Sequence, residues 1–192
     1  MFLELLSVRY LTELQRTDEA LAESLWGTRC PYCGKGILHV SDYQRNPRGH
    51  PPEWEHTFGW NRRASLCCSA TGCRTRVTPP SLRFLGRKVY LAPIVTVAPA
   101  AGADFLARVR QNERHLDRHT VARWRAWWLV VFVALAFWKI LRGSLMPPVD
   151  DGRLPDSLIE RFGRTADGVR RLLIALAPVT TATCQVREGR AM

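Results

Sequence analysis

Six cysteines lie in this 192-residue chain, and four of them fall into two pairs: Cys30-Pro31-Tyr32-Cys33-Gly34 and, thirty-five residues further on, Cys68-x4-Cys73. Four thiolates in two pairs are the donor set a tetrahedral zinc ion takes. Pro31 and Gly34 suit a tight turn whose amides point at the sulfurs, and the separation of the pairs leaves room for a long β-hairpin. Residues 27–78 therefore read as a zinc ribbon, a unit too small to bury an adequate core and dependent on its metal for much of its folding energy. With Cys30, Cys33, Cys68 and Cys73 filling the sphere, no position is open to water. One structural Zn2+ and no hydrolytic chemistry are expected.

Other readings of the thiols stand beside this one. Cys-Pro-Tyr-Cys also resembles the redox dithiol of glutaredoxins, with Thr78-Pro79 about where their substrate-binding proline falls. Such a dithiol opens a helix whose dipole lowers the first thiol's pKa. Here Gly34-Lys35-Gly36 follows the motif, and the helical pattern, residues 18–26, precedes it. Unrelated buried or disulfide-bonded cysteines are the third possibility. Cys67 would face away from Cys68 in a strand, as an alternate ligand or a small buried side chain. Cys184, in a Thr-rich tail, reads as a bystander. Asp150 and Asp151 read as a solvated loop, because no third acidic position accompanies them as a metal-binding group would require.

The charge is concentrated where those motifs lie. The chain carries net +11, with −3 on residues 1–26, +8 on 27–102, +5 on 103–142 and +1 beyond. Arginine far outnumbers lysine, which occurs only at Lys35, Lys88 and Lys139. Arginine suits phosphate and guanine edges, although a GC-rich coding genome would give the same bias. A field of this sign points to a polyanion, nucleic acid or an anionic membrane face. Residues 1–6 lack the basic region and long apolar core of a secretory signal, so a cytoplasmic location with reduced thiols is expected.

The positioning elements follow from periodicity. Leu3, Leu6, Tyr10, Leu14, Leu21 and Leu25 mark an amphipathic helix over residues 1–26. The ribbon, with the junction Thr78-Pro79-Pro80-Ser81, occupies 27–80. Residues 37–43 read as its first strand and 64–68 as the return strand, with Arg74 and Arg76 alternating along another strand face. The hairpin tip between them mixes Arg45, Arg48, His50, His56, Arg62 and Arg63 with Tyr43, Trp54, Phe58 and Trp60. It reads either as a phosphate-and-stacking surface or as aromatics folded back on the hairpin. Pro93 and Pro99 break residues 82–101 into kinked pieces. A short helix over 103–111 turns Phe105, Leu106 and Val109 inward. Asp117 caps the next helix, 118–141, with Val121 and Trp124 buried. Residues 126–138 are thirteen apolar residues in a row, short of the roughly 20 a membrane span needs. The run reads as the buried centre of a C-terminal bundle, partnered by 155–177 through Leu158, Ile159, Phe162, Val169, Leu172, Leu173 and Leu176. The segments are thus 1–26, 27–80, 81–146, 147–178 and a tail, 179–192: an α+β protein in which a four-cysteine zinc ribbon is followed by a mainly α-helical domain.

The stretch from Leu106 to Trp124, with Arg118-His119-Thr120-Val121-Ala122-Arg123-Trp124 at its end, resembles the helix-turn-helix of prokaryotic regulators and transposases, whose second helix enters the major groove. Glu113-Arg114-His115-Leu116 replaces their usual small-residue turn. Taken together, the knuckles, Thr78-Pro79-Pro80-Ser81, Arg83-Phe84-Leu85-Gly86-Arg87 and Arg123-Trp124-x-x-Trp127-Trp128 resemble uncharacterised small proteins associated with bacterial insertion sequences. That resemblance implies double-stranded DNA binding in a mobile-element setting, without catalysis, with a transposase as the further candidate partner. Arg118, His119, Arg123 and Arg125 are then the candidate groove or phosphate contacts, with Arg74, Arg76, Arg62 and Arg63 extending the footprint. A protein-protein adaptor in a transposition complex, and a membrane-associated protein anchored by 126–141, are the alternatives.

Overall fold

The computed structural model describes residues 2–86, 88–112 and 116–180, and shows an α+β protein with seven α-helices and two small antiparallel sheets. The tail with Cys184, and the connection 113–115, lie outside the described residues. The chain opens with a 3-10 turn, Leu3–Leu6, then helix α1, Val8–Glu23, whose first turn is capped by Ser7 Oγ accepting from the Tyr10 amide at 3.2 Å. Tyr10, Leu11, Leu14, Gln15 and Asp18 form its buried stripe. Leu3 is half exposed at 51%, because the tight turn rather than a continuous helix places Leu5 and Leu6 inward.

The expected hairpin is cut into two sheets. Strands β1, Leu38–Val40, β4, Leu66–Cys68, and β5, Arg76–Val77, form one sheet in the order β1-β4-β5, with Leu38 opposite Cys68 and Leu66 opposite Val77. Strands β2, Tyr43–Gln44, and β3, Arg62–Arg63, form the second. The break at 41–42 has a local cause: Asp42 accepts from the Ser65 amide at 2.9 Å with its side chain, which takes a donor out of the ladder. The tip folds back on the body. Trp54 is fully buried, its ring 6.1 Å from that of Trp60, and Gln15 of α1 donates to the Phe58 carbonyl at 2.7 Å. Phe58 stands out furthest of the tip aromatics, at 88% exposure, and Tyr43 is exposed as well.

Residues 82–101 hold a single short helix, α2, Ala92–Val97, every residue of which is buried. Pro93 sits in its first turn, where the missing N–H has no partner to lose, and Pro99 follows its end. Helix α3, Ala103–Asn112, turns Phe105 and Val109 inward, and α4, Arg118–Ala126, begins as its sequence signals: Asp117 Oδ1 accepts from the Thr120 amide at 2.6 Å.

The apolar run departs from a single buried helix. From α4 the chain continues as a π-helical turn, Trp127–Phe132, then bends by 81° into α5, Ala136–Ser144. Trp128, Phe132 and Trp138 are buried in the core, with Phe132 and Trp138 rings 5.1 Å apart across the bend, while Trp127, Val133, Leu135 and Phe137 pack against its edge. Bringing both rings onto one core wall requires the chain to turn, and Leu129, Val130 and Val131 are left facing out. Its partner region is likewise two helices, α6, Asp156–Phe162, and α7, Ala166–Leu176, separated by Gly163 at φ 104°. A Cβ on Gly168 would lie 2.1 Å from the Gly163 carbonyl oxygen, so these helices meet backbone to backbone. One apolar cluster unites α1, α2, Trp54 and the C-terminal helices, whereas the β1-β4-β5 sheet has a small one of its own.

Candidate metal centre

Each cysteine pair sits in a turn that ends in a left-handed residue. After Cys30 and Cys33 comes Gly34 at φ 67°, with the Gly34 amide donating to the Cys30 carbonyl at 2.9 Å. After Cys73 comes Arg74 at φ 45°, its amide donating to the Ala70 carbonyl at 3.0 Å. Arg74 is therefore part of the second knuckle, not a member of β5, and it does not alternate with Arg76 along one strand face. The left-handed turn required to bring Cys73 round outweighs the strand pattern there.

The sulfurs of Cys30, Cys33, Cys68 and Cys73 all lie within 4.8 Å of one another, Cys30 to Cys73 at 3.9 Å and Cys33 to Cys68 at 3.7 Å. Two sulfurs each about 2.3 Å from a tetrahedral ion stand about 3.8 Å apart. Disulfide sulfurs would be about 2.05 Å apart. The cluster thus fits one metal ion among four thiolates, a set that suits zinc. Cys67, paired opposite Arg76 in the ladder, points its sulfur toward the Arg74 carbonyl at 3.6 Å and stays outside the group.

Local donors prepare the thiolates. The Gly36 amide, 3.5 Å from Cys33 Sγ, and that of Lys35 hold this thiol down to about 6. The Thr75 hydroxyl, 3.2 Å from Cys73 Sγ, and the Thr75 amide lower that of Cys73. Burial pushes Cys68 up to about 12 against the opposing Ala70 amide, 3.4 Å away. Entry of a cation at neutral pH must therefore displace the Cys68 proton, which is the ordinary coupling of metal binding to proton release. Both sulfurs face amide donors, but burial dominates at Cys68 and the amides of Gly36 and Lys35 dominate at Cys33.

Gly36 is a part of the site that the cysteine spacing alone does not reveal. Its amide serves Cys33, its carbonyl accepts from the Cys30 amide at 2.8 Å, and a Cβ there would lie 2.3 Å from Cys68 Sγ and 2.8 Å from the Ala70 nitrogen. The obstructing atoms are a ligand and backbone, so nothing can swing aside. Gly36→Ala is expected to lower metal affinity by at least about tenfold, comparable to losing a supporting contact at a metal site, measured by competition with a chromophoric chelator. Unchanged affinity would show that the knuckles can separate without consequence. The sequence signal was the second glycine of Gly34-Lys35-Gly36. Thr75 carried none.

The arginines divide. Arg118, His119, Arg123 and Arg125 are exposed on α4 while Val121 and Trp124 pack inward. Arg123 donates to Thr120 Oγ1 at 3.0 Å and Arg125 to the Pro99 carbonyl at 2.8 Å, each retaining further donors. Arg76 is exposed, its guanidinium 5.7 Å from the Tyr43 ring centre. Arg62 is held between Glu19 at 3.6 Å and Asp42 at 3.4 Å. Arg63 is 1% exposed and donates to the Pro79 carbonyl at 2.6 Å, and burial lowers its pKa to about 10. It holds β3 against the 79–84 segment and is not available to a ligand, because inward alternation from exposed Arg62 places it in the core.

Searches of family models, of curated proteins and of solved structures gave no match to this chain.

Proposed function

We propose that this protein is a zinc-stabilised, non-catalytic DNA-binding protein of the bacterial cytoplasm, an accessory or regulatory factor of a mobile element. The observation that carries this reading is the outer face of α4, where Arg118, His119, Arg123 and Arg125 stand exposed on a helix anchored by Val121 and Trp124. A helix so placed can lie along a groove with its guanidinium forks toward phosphates and base edges. The metal's role is architectural: four thiolates leave no coordination site for substrate, and the second knuckle and the strand β5 that follows it present Arg74 and Arg76 at the surface. The mobile-element setting rests on the resemblance alone, carried by the knuckles, Thr78-Pro79-Pro80-Ser81, Arg83-Phe84-Leu85-Gly86-Arg87 and Arg123-Trp124-x-x-Trp127-Trp128.

Titration with duplex DNA tests the reading. Counterion release gives a slope of about 0.9 in log affinity per log salt for each phosphate neutralised, so roughly six contacts weaken binding about a thousandfold between about 50 and 200 mM salt. Arg118→Ala or Arg123→Ala should cost about 1 to 3 kcal/mol on a selected site and relax preference at one base pair, whereas Arg76→Ala should weaken all duplexes alike. Arg63→Ala should instead destabilise the fold. No binding at low salt, or binding indifferent to the α4 substitutions, would assign the basic face to a protein partner.

A further inference from the structure

The bent apolar segment leaves apolar side chains on both arms that the fold does not cover. Leu129, Val130 and Val131 are 41%, 66% and 48% exposed, and Ile140 on the second arm is 78% exposed. Trp128, Phe132 and Trp138 occupy the inward positions, so the core has no room for the outward set. No single helix among the described residues is long and apolar enough to cross a membrane, but the two arms, Arg118–Phe132 and Ala136–Ser144, together have the length and apolar composition of a bent membrane segment. Within the segment itself the charge is of one sign. Between Asp117 and Asp150 the chain carries Arg118, Arg123, Arg125, Lys139 and Arg142 and no acidic residue. All five are exposed, although Arg142 is paired with Asp151 at 2.7 Å. By the helical period Arg118, Arg125 and Leu129 follow one line along the helix, cations leading to the apolar tip.

We propose that the 118–144 segment docks on an anionic lipid bilayer surface, with Leu129, Val130, Val131 and Ile140 entering the interface and Arg118, Arg125 and Lys139 meeting lipid phosphates. An apolar face rimmed by cations is what an interfacial helix presents, and each basic side chain adds attraction to an anionic leaflet. A second copy of the chain is a poorer occupant. A two-fold interface would set the same cations against themselves, with nothing acidic between residues 117 and 150 to answer them. The bilayer supplies the opposite charge and the apolar phase together.

The test is sedimentation of the full-length, zinc-loaded protein with vesicles of phosphatidylcholine alone and of phosphatidylcholine mixed with phosphatidylserine. Pelleting with the mixed vesicles only, reduced by added salt, is expected. Val130→Asp should weaken it by about tenfold, the order of one buried aliphatic side chain. Ile140→Ser on the other arm provides an independent check with less charge. Both sites are exposed, so zinc content and far-UV circular dichroism should be unchanged. Absence of pelleting with either vesicle, or pelleting indifferent to both substitutions, overturns the proposal. So does self-association that Val130→Asp abolishes while lipid binding is absent. DNA titration of Val130→Asp keeps the two readings apart, since this substitution weakens lipid binding about tenfold while leaving in place the α4 arginines that DNA binding needs.

Discussion

Replacing Cys30 by serine, or treating the protein with a strong chelator, is expected to remove one zinc per chain and unfold strands β1, β4 and β5. The reason is the size of what the metal holds. Apart from two of the cysteines themselves, the buried residues of that sheet are Leu38, Leu66 and Val77. Three aliphatic side chains supply roughly 5 to 9 kcal/mol of burial at best, against about 1 to 2 kcal/mol of backbone entropy for every residue fixed. A structural zinc site contributes an apparent 10 to 16 kcal/mol or so near neutral pH, and it does so only when all thiolates are present. The loss should stop at the tip of the hairpin. Residues 43–63 are anchored independently through Trp54 in the main core and through Gln15 on the Phe58 carbonyl. Elemental analysis should show the metal gone, and limited proteolysis should cut within 28–40 and 66–77 while the helices stay protected. Wild-type protein without stoichiometric metal, or a Cys30–Cys33 disulfide that cycles with glutathione, would instead favour the redox reading.

Asp18→Ala should be the most destabilising substitution outside the metal site. The carboxylate is 1% exposed and accepts from Ser81 Oγ at 2.6 Å, the Leu82 amide at 2.6 Å and Arg83 Nε at 2.9 Å. Arg83, 2% exposed, passes the connection on to the carbonyls of Trp60 at 3.0 Å and Arg62 at 2.9 Å. One buried pair therefore joins α1, the 81–84 segment and the end of the hairpin. Deleting the acid leaves the guanidinium buried and uncompensated, which costs about 3 to 5 kcal/mol, whereas replacing both partners by apolar residues should recover part of the loss. Chemical denaturation of Asp18→Ala, Arg83→Met and the double variant measures the coupling. A loss below about 1 kcal/mol in the single variants would mean that water reaches the pair and screens it.

The contrast between these two sites shows what the sequence could reveal. Cysteine pairs are legible because ligand type, spacing and turn residues are local, and Asp117 announced a helix start for the same reason. The Asp18–Arg83 pair spans 65 residues and involves residue types common on any surface, so nothing local distinguished it from solvated charge. The bend in the apolar run was hidden differently. Neither proline nor glycine interrupts 126–138, and the turn follows from where Phe132 and Trp138 must pack, a tertiary demand that overrides the helical pattern. Trp54 and Trp60 belong to the same class: aromatic rings beside arginines look alike in sequence whether they stack on a ligand or on one another.

Three guanidinium groups surround the buried ring of Phe84: Arg45 at 4.9 Å, Arg83 at 5.3 Å and Arg63 at 5.7 Å from its centre. This cluster divides the chain's many arginines by how freely they can drift. At exposed pairs such as Arg9 with Glu13 or Arg170 with Asp167, a change to lysine keeps a charge and a contact and would pass with little effect. At 45, 63 and 83 a flat, weakly hydrated fork is needed to stack on a ring while reaching backbone carbonyls, and an ammonium must shed a tighter water shell to enter. A shift in genomic base composition could rewrite the outside of this protein and leave those three arginines fixed.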